Sequence, residues 1–210
     1  LGVACVIESM TKFICGTGEN MGALLAVDMG HDFHLGLEDY GSLYSFLAMM
    51  QKDDVLSLSP FPAWDIARNL PSIEMRRDRV QANAQRVAEF LKEHPLVADV
   101  RYPGMTRDPA QNGRAQRLMR NEKGEFSPGY MVYFELKGSP RKARVMGRRL
   151  LDWLSKHTSL KVKVSFGQPS TNVEQPAVMT HSSYSPAELE AAGISAGGIR
   201  LAMGWDNASY

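Results

Sequence analysis

The stretch Glu8-Ser9-Met10-Thr11-Lys12-Phe13-Ile14-Cys15-Gly16 decides how the rest of this 210-residue sequence is interpreted. Before it lies the apolar run of residues 1–7, which predicts a buried strand too short to cross a membrane. After it comes the glycine-rich loop Gly16-Thr17-Gly18-Glu19-Asn20-Met21-Gly22. The pattern therefore predicts a strand that ends at a lysine and continues into a loop.

Lys12 is the first candidate for chemistry, because hydroxyl residues lie one and three positions before it, at Thr11 and Ser9. A lysine amine can form a Schiff base with a carbonyl, and pyridoxal phosphate is the cofactor that most often requires one. The two hydroxyls could donate hydrogen bonds to phosphate oxygens. From this spacing alone, a solvated surface lysine stays an open alternative.

Further motifs follow in order along the chain. They are Ser59-Pro60-Phe61-x-Ala63-Trp64 with Arg68-Asn69-Leu70, then Val97-x-x-Val100-x-Tyr102-Pro103-Gly104, and finally a tail containing Pro176-Ala177-Val178-Met179-Thr180-His181-Ser182-Ser183-Tyr184-Ser185-Pro186, Ala192-Gly193-Ile194-Ser195 and Ile199-Arg200-Leu201.

Together with Ser9-Met10-Thr11-Lys12-Phe13, these motifs resemble the Cys/Met-metabolism family of pyridoxal-phosphate enzymes. That family includes cystathionine gamma-synthases, cystathionine lyases, methionine gamma-lyases and O-acylhomoserine sulfhydrylases. Its members are longer chains with the reactive lysine near the middle, so this chain resembles their C-terminal half. The resemblance implies an α/β fold: the end of a fold-type-I transferase large domain, followed by a smaller α+β domain.

Residues 1–65 are expected to form the C-terminal part of the cofactor-binding large domain, and residues 66–210 the small domain. A short buried strand is predicted at residues 24–27, and further short strands near residues 98–102, 130–136, 162–166 and 199–203. Helices are predicted over residues 40–50, from Ser72 to His94, after Ser139-Pro140 and after Ser185-Pro186. Pro60 and Pro62 are expected to break the pattern, and the basic run of residues 76–79 is interpreted as a solvated helix face.

Composition narrows the class of protein. A hydrophobic content of 44% and a charged content of 22% are typical of a soluble globular protein. The net charge of +1 argues against nucleic acid or an anionic membrane as a partner. Cys5 and Cys15 are too few for a disulfide framework, so free thiols and a cytoplasmic location are expected. His31, Asp32 and His34 invite a metal site, but a solvated loop is favoured and no metal is predicted.

The resemblance implies that Lys12 holds pyridoxal 5'-phosphate as a Schiff base and that Ser9 and Thr11 bind its phosphate. Arg200 is expected to bind the substrate carboxylate: on a strand its side chain points away from Ile199 and Leu201, and its planar guanidinium suits a carboxylate. A structural ion pair is the alternative. Ser165 and Thr180 match family residues that support this site. His181 is interpreted as a structural histidine.

The expected activity is β/γ-elimination or γ-replacement on a sulfur amino acid, in a homo-oligomer, a dimer of dimers with shared active sites. The chain departs from the family's motifs at two places, which leaves the reaction subclass open. Gln168-Pro169-Ser170-Thr171 follows Gly167, and Gly16-Thr17-Gly18-Glu19 replaces a common Gly-His-Gly-Asp. In the family, the phosphate cup, the residue stacked on the cofactor ring and its aspartate partner all precede the lysine. The alternative hypothesis is therefore a non-catalytic half that needs a partner chain to complete the site.

Overall fold

The computed structural model describes residues 5–28, 42–53, 57–105 and 108–206. The chain divides into two compact units, Leu1–Pro71 and Ser72–Tyr210. The sequence predicted a boundary near residue 65, a few residues earlier. The first unit continues past that point because Asp65 and Ile66 are buried in it, and Asp65 accepts a 2.6 Å hydrogen bond from Asn20.

The first unit contains a small antiparallel sheet and two helices. Strand β1 (Cys5–Ser9) pairs with β2 (Ala23–Val27), and the helices are α1 (Leu43–Lys52) and α2 (Pro60–Asn69). Pro60 stands at the beginning of α2, where its missing N–H would have no helical partner in any case. The expectation that the prolines break the pattern was wrong, because a proline in the first turn starts a helix.

The apolar strands of the first unit were predicted to be buried, and this was wrong for the described residues. The side chains of Val6 and Ile7 are 51% and 74% exposed, and those of Leu24 and Leu25 are 47% and 42% exposed. Within the described part of the chain, β1 and β2 form a two-stranded sheet, and no further strand extends it. A strand pair alone leaves apolar side chains in water.

The second unit contains a sheet and several helices. Its elements are α3 (Ile73–Glu93), β3 (Val97–Arg101), α4 (Pro109–Leu118), β4 (Met131–Leu136), α5 (Pro140–His157), β5 (Lys161–Val162), β6 (Asn172–Glu174), α6 (Pro186–Ala191) and β7 (Gly198–Ala202). The strand order of the sheet is β3-β4-β7-β6-β5. All described neighbours are antiparallel except β5 and β6, which are parallel.

Helices α3 and α5 cover one face of this sheet. The core joins side chains that are at most 9% exposed, among them Ala84, Ala88, Val132, Phe134, Ala143, Leu151, Val173, Ile199 and Leu201. The alternation of buried and less buried residues along β4 places its other side chains on the opposite face. The α+β character predicted for the C-terminal part is thus confirmed. Strand β5 is shorter than expected, and β6 was not predicted.

The basic run at the start of α3 differs from its prediction at one residue. Arg76 is buried at 8% exposure rather than solvated, and its Nε donates to the Ser72 hydroxyl at 3.0 Å. Its guanidinium lies 5.3 Å from the centre of the Trp205 ring. Arg76 precedes buried Val80 by one helical turn, so the two residues share the covered face.

The ends of helix α6 were predicted correctly from local sequence patterns. Ser185 and Glu188 form the predicted capping box at the start of α6, and Gly193 follows that helix with φ +66°. None of the helices in the described ranges is both long and apolar enough to cross a membrane.

Candidate cofactor and carboxylate sites

Lys12 lies in a kinked turn, Met10–Ile14, that directly follows β1. Its backbone leaves helical geometry, with φ −86° and ψ −123°, and its side chain is half-buried. The amide of Cys15 donates to Met10 O at 2.8 Å and that of Gly16 to Lys12 O at 3.0 Å, which closes the turn. The lysine therefore sits on a sharply bent, internally bonded segment.

Thr11 ties this turn to the start of β2. Its Oγ1 accepts a hydrogen bond from the Gly22 amide at 3.0 Å and donates to Gly22 O at 3.3 Å, and its own amide donates to the same oxygen at 3.3 Å. The Thr11 hydroxyl thus holds the turn against Gly22 in this arrangement. A role for Thr11 in binding phosphate stays a prediction.

The segment after Lys12 is held by a small polar network. Cys15 is 1% exposed and its Sγ lies 3.2 Å from Thr17 Oγ1, while Asn20 donates to Asp65, which pairs with Arg68 at 3.0 Å. Burial acts to raise the pKa of the Cys15 thiol, but hydrogen bonds from Thr17 and nearby backbone groups outweigh it, so the pKa lies below its ordinary value. Both described cysteines are free thiols.

The donors around Lys12 fit a phosphorylated aldehyde. The Ser9 hydroxyl makes no capping hydrogen bond to the turn. A primary amine and a hydroxyl thus stand three residues apart in the sequence here, and they are groups that can bind a carbonyl and a phosphate.

A second group of predicted residues lies in the second unit, on the face of the sheet opposite the core. A row of directly paired residues crosses four strands: Arg101 pairs with Tyr133, Tyr133 with Arg200, and Arg200 with Glu174. Directly paired residues place their side chains on the same face of a sheet. Ile199 and Leu201, on either side of Arg200, enter the core, as the alternation predicted.

Three contacts fix the Arg200 side chain, which is 25% exposed. Its Nη1 lies 2.9 Å from Glu174 Oε1, its Nη2 donates to Val164 O at 2.6 Å, and its guanidinium lies 5.7 Å from the centre of the Phe166 ring. The ion pair considered as an alternative for Arg200 is therefore present. It leaves part of the guanidinium open to solvent.

Ser165 and Thr180 lie close to the same arginine. Ser165 stands between the two residues of its loop that contact Arg200, and its carbonyl accepts a 2.8 Å hydrogen bond from Asn172. The Thr180 hydroxyl lies 3.0 Å from His181 Nδ1, and both residues act on the ionisation of Glu174. The structure thus gathers Arg200, Ser165 and Thr180 in the second unit, while Ser9, Thr11 and Lys12 lie in the first.

Glu174 is the residue that the sequence interpretation missed. It is 1% exposed, and neither of its carboxylate oxygens accepts a geometrically sound hydrogen bond from the described residues. Burial raises its pKa, and Arg200, His181 and Thr180 oppose that rise. The signal available in the sequence was the alternation of Asn172, Val173 and Glu174, which is a strand pattern with a polar face.

An apolar cleft of about 560 Å³ also opens in the second unit, on the face of the sheet that α3 and α5 cover. Its walls include Val87 and Phe90 of α3 and Leu150 and Leu154 of α5. It contains none of the predicted site residues.

Among the described residues, no group of three or more His, Cys, Asp or Glu side chains could hold a metal ion. The histidines considered for a metal, His31 and His34, lie outside the described residues.

Both the structure and the sequence of this chain are similar to those of one class of enzyme. The structure resembles cystathionine gamma synthase from Xanthomonas oryzae pv. oryzae with a TM-score of 0.73 and 27% sequence identity, covering 99% of this chain and 47% of that one. The family described as Cys/Met metabolism PLP-dependent enzyme matches residues 1–209. This chain belongs to that family, which confirms the predicted fold class and, at the level of the family, pyridoxal 5'-phosphate as the cofactor.

Individual relatives agree on the family and differ in activity. An L-methionine gamma-lyase from Porphyromonas gingivalis is 34% identical over 99% of this chain and 46% of its own length. An O-acetyl-L-homoserine sulfhydrylase from Leptospira meyeri is 30% identical over 98% of this chain and 50% of its own length. The chain thus spans about half the length of the curated relatives it matches.

Proposed function

We propose that this chain supplies the cofactor lysine and the carboxylate-binding arginine of a pyridoxal-phosphate-dependent lyase or transferase of sulfur amino acids. Family membership supports the proposal, and the observation that carries it is the position of Lys12 on the bent turn after β1. In this proposal the first unit is the end of the cofactor-binding domain, and the second unit is the small domain.

Lys12 would hold the cofactor through its amine, with Ser9 and Thr11 toward the phosphate. Pyridoxal phosphate, when bound, supplies an electron sink next to the substrate Cα–H bond. The Lys12 amine would remove the Cα proton and, in γ-chemistry, also a proton at Cβ. Its fixed place on the turn would orient it for that transfer.

Arg200 would hold the α-carboxylate of the substrate. Its guanidinium is fixed by Glu174, Val164 and Phe166 and is still partly exposed, so a second carboxylate can approach it. Ser165 and Thr180 would support this contact from the loops beside it. Fixing the carboxylate orients the Cα–H bond, which favours removal of that proton over side reactions.

We also propose the finer assignments that the resemblance implies. These are β/γ-elimination or γ-replacement as the reaction, a homotetramer built as a dimer of dimers with shared active sites, and a cytoplasmic location. The relatives carry both lyase and sulfhydrylase activities, which supports the reaction class without choosing one member of it.

Borohydride reduction tests the role of Lys12. Protein incubated with pyridoxal phosphate, reduced and digested should carry a pyridoxyl-phosphate mass on the peptide with Lys12. The K12A variant should lose that adduct and about 10²- to 10⁴-fold in turnover of L-methionine or L-cystathionine. Lys52, an exposed lysine at the end of α1, provides the matched control, and K52A should behave like the parent protein. An adduct confined to other lysines would contradict the proposal.

A second candidate is a non-catalytic chain that needs a partner chain to complete its site. The exposed side chains of Val6, Ile7, Leu24 and Leu25 favour it, because an uncovered apolar strand pair invites association. Size-exclusion chromatography with light scattering, together with the turnover assay, separates the two candidates. A protein that is monomeric and active would exclude the second candidate.

A further inference from the structure

We propose that Glu174 is a positioning residue that orients Arg200 for a substrate carboxylate. This inference rests on the proposed function. Glu174 and Arg200 are directly paired on β6 and β7, their side chains therefore lie on the same face of the sheet, and Nη1 and Oε1 are 2.9 Å apart.

The burial of Glu174 indicates that its contact with Arg200 is its main compensation. A carboxylate that is 1% exposed loses nearly all its hydration, and the described residues give neither oxygen a well-aligned hydrogen bond. A buried charge is tolerated when an opposite charge lies against it. The charged or titratable groups that act on Glu174 are Arg200, from β7, and His181, from the segment after the 3₁₀ turn Pro176–Val178.

The Arg200 side chain is held by three contacts and is still 25% exposed. Glu174 contacts Nη1, and the carbonyl of Val164 accepts from Nη2, while the Phe166 ring lies beside the guanidinium. An arginine has five N–H donors, so these contacts leave capacity for a further acceptor. Glu174 thus restricts the rotamers of Arg200 before any substrate arrives, and a preorganised arginine loses less conformational entropy when it binds a carboxylate.

A pair of ligands that differ only in the carboxylate tests this inference. L-Norleucine carries an α-carboxylate, and n-pentylamine is the same molecule without it. Calorimetric titration of the protein loaded with pyridoxal phosphate should show that E174Q weakens L-norleucine binding about tenfold and leaves n-pentylamine binding unchanged. E190Q, at an exposed position on α6, is the matched control and should change neither affinity.

A double-mutant cycle shows whether Glu174 acts through Arg200. R200K should weaken L-norleucine binding, and adding E174Q to R200K should cause little further loss, because the guanidinium that Glu174 orients is gone. Circular dichroism and thermal unfolding of each variant confirm that it is folded. E174D, which keeps the charge, should recover part of the lost affinity.

Four results would overturn the inference. E174Q could weaken both ligands equally, which indicates a general structural role, or change neither. It could tighten L-norleucine binding, which indicates that Glu174 competes with the substrate. In these three cases L-norleucine still binds the parent protein, so the proposed function stands. Failure of the parent protein to bind L-norleucine at all would remove both the proposed function and the inference.

Discussion

The two units of this chain contain sheets whose apolar side chains lie in opposite environments. In the first unit, Val6 and Ile7 on β1 are 51% and 74% exposed, whereas Val132 and Ile199 in the second unit are fully buried. The difference lies in what covers each strand. Helices α3 and α5 pack on one face of the larger sheet, whereas apolar side chains of β1 and β2 in the first unit are exposed. Apolar composition therefore predicted strands in both units and predicted burial correctly in one.

The largest expected difference is in the free energy of unfolding, between the alanine variants of one isoleucine from each unit. I199A should lower the free energy of unfolding by about 2–5 kcal/mol, because it removes methyl groups from a closed core. I7A should change it by less than about 0.5 kcal/mol, because the side chain is exposed. Urea denaturation of the two variants and the parent protein measures both values. A large loss in I7A would show that β1 is covered in solution, and the contrast between the units would then fail.

The next effect concerns the turn that carries Lys12. T11V removes the two hydrogen bonds between the Thr11 hydroxyl and Gly22 and should lower the free energy of unfolding by about 1–3 kcal/mol. T11S keeps the hydroxyl and should recover most of this loss. Equal stability of T11V and the parent protein would show that the hydroxyl is not committed to Gly22 and is available to phosphate.

A smaller effect should appear as a pH dependence in the second unit. The folded state raises the pKa of Glu174 above its ordinary 4.5, so it binds the proton more tightly than the unfolded chain does. The stability that comes from the protonated carboxyl is present at low pH and is lost as pH rises through the folded pKa. The melting temperature of the parent protein minus that of E174Q should therefore fall as the pH rises from 4.5 through the folded pKa. A difference that rises over this range would contradict the direction of the pKa shift.

The smallest effects are local and depend on no covering layer. S185A should cost about 1 kcal/mol, because Ser185 accepts from the Glu188 amide in a capping box. S139A should cost less, because the Ser139 side chain makes no capping hydrogen bond at the start of α5. Thermal unfolding of the two variants measures the difference. A reversed order would mean that helix ends in this unit are stabilised by packing rather than by caps.

Part of the candidate site could be predicted from the sequence, and the rest could not for a physical reason. Lys12 and Arg200 were predicted because their neighbours form motifs and because alternation on a strand fixes the face of a side chain. Glu174 was not predicted, because its importance comes from pairing between β6 and β7, residues far apart in the chain. Arg76 was interpreted as solvated, although its position one turn before Val80 already placed it on the covered face.

The sequence by itself determined the features that depend on near neighbours. These are the lysine motif after β1, the opposite directions of Arg200 and Ile199, and the capping box of Ser185 and Glu188. Tertiary structure alone decided which strands lie side by side and which faces are covered. It therefore decided the exposure of β1 and the burial of Glu174 against Arg200. Periodicity states which residues share a face, whereas burial and ion pairing depend on what packs against that face.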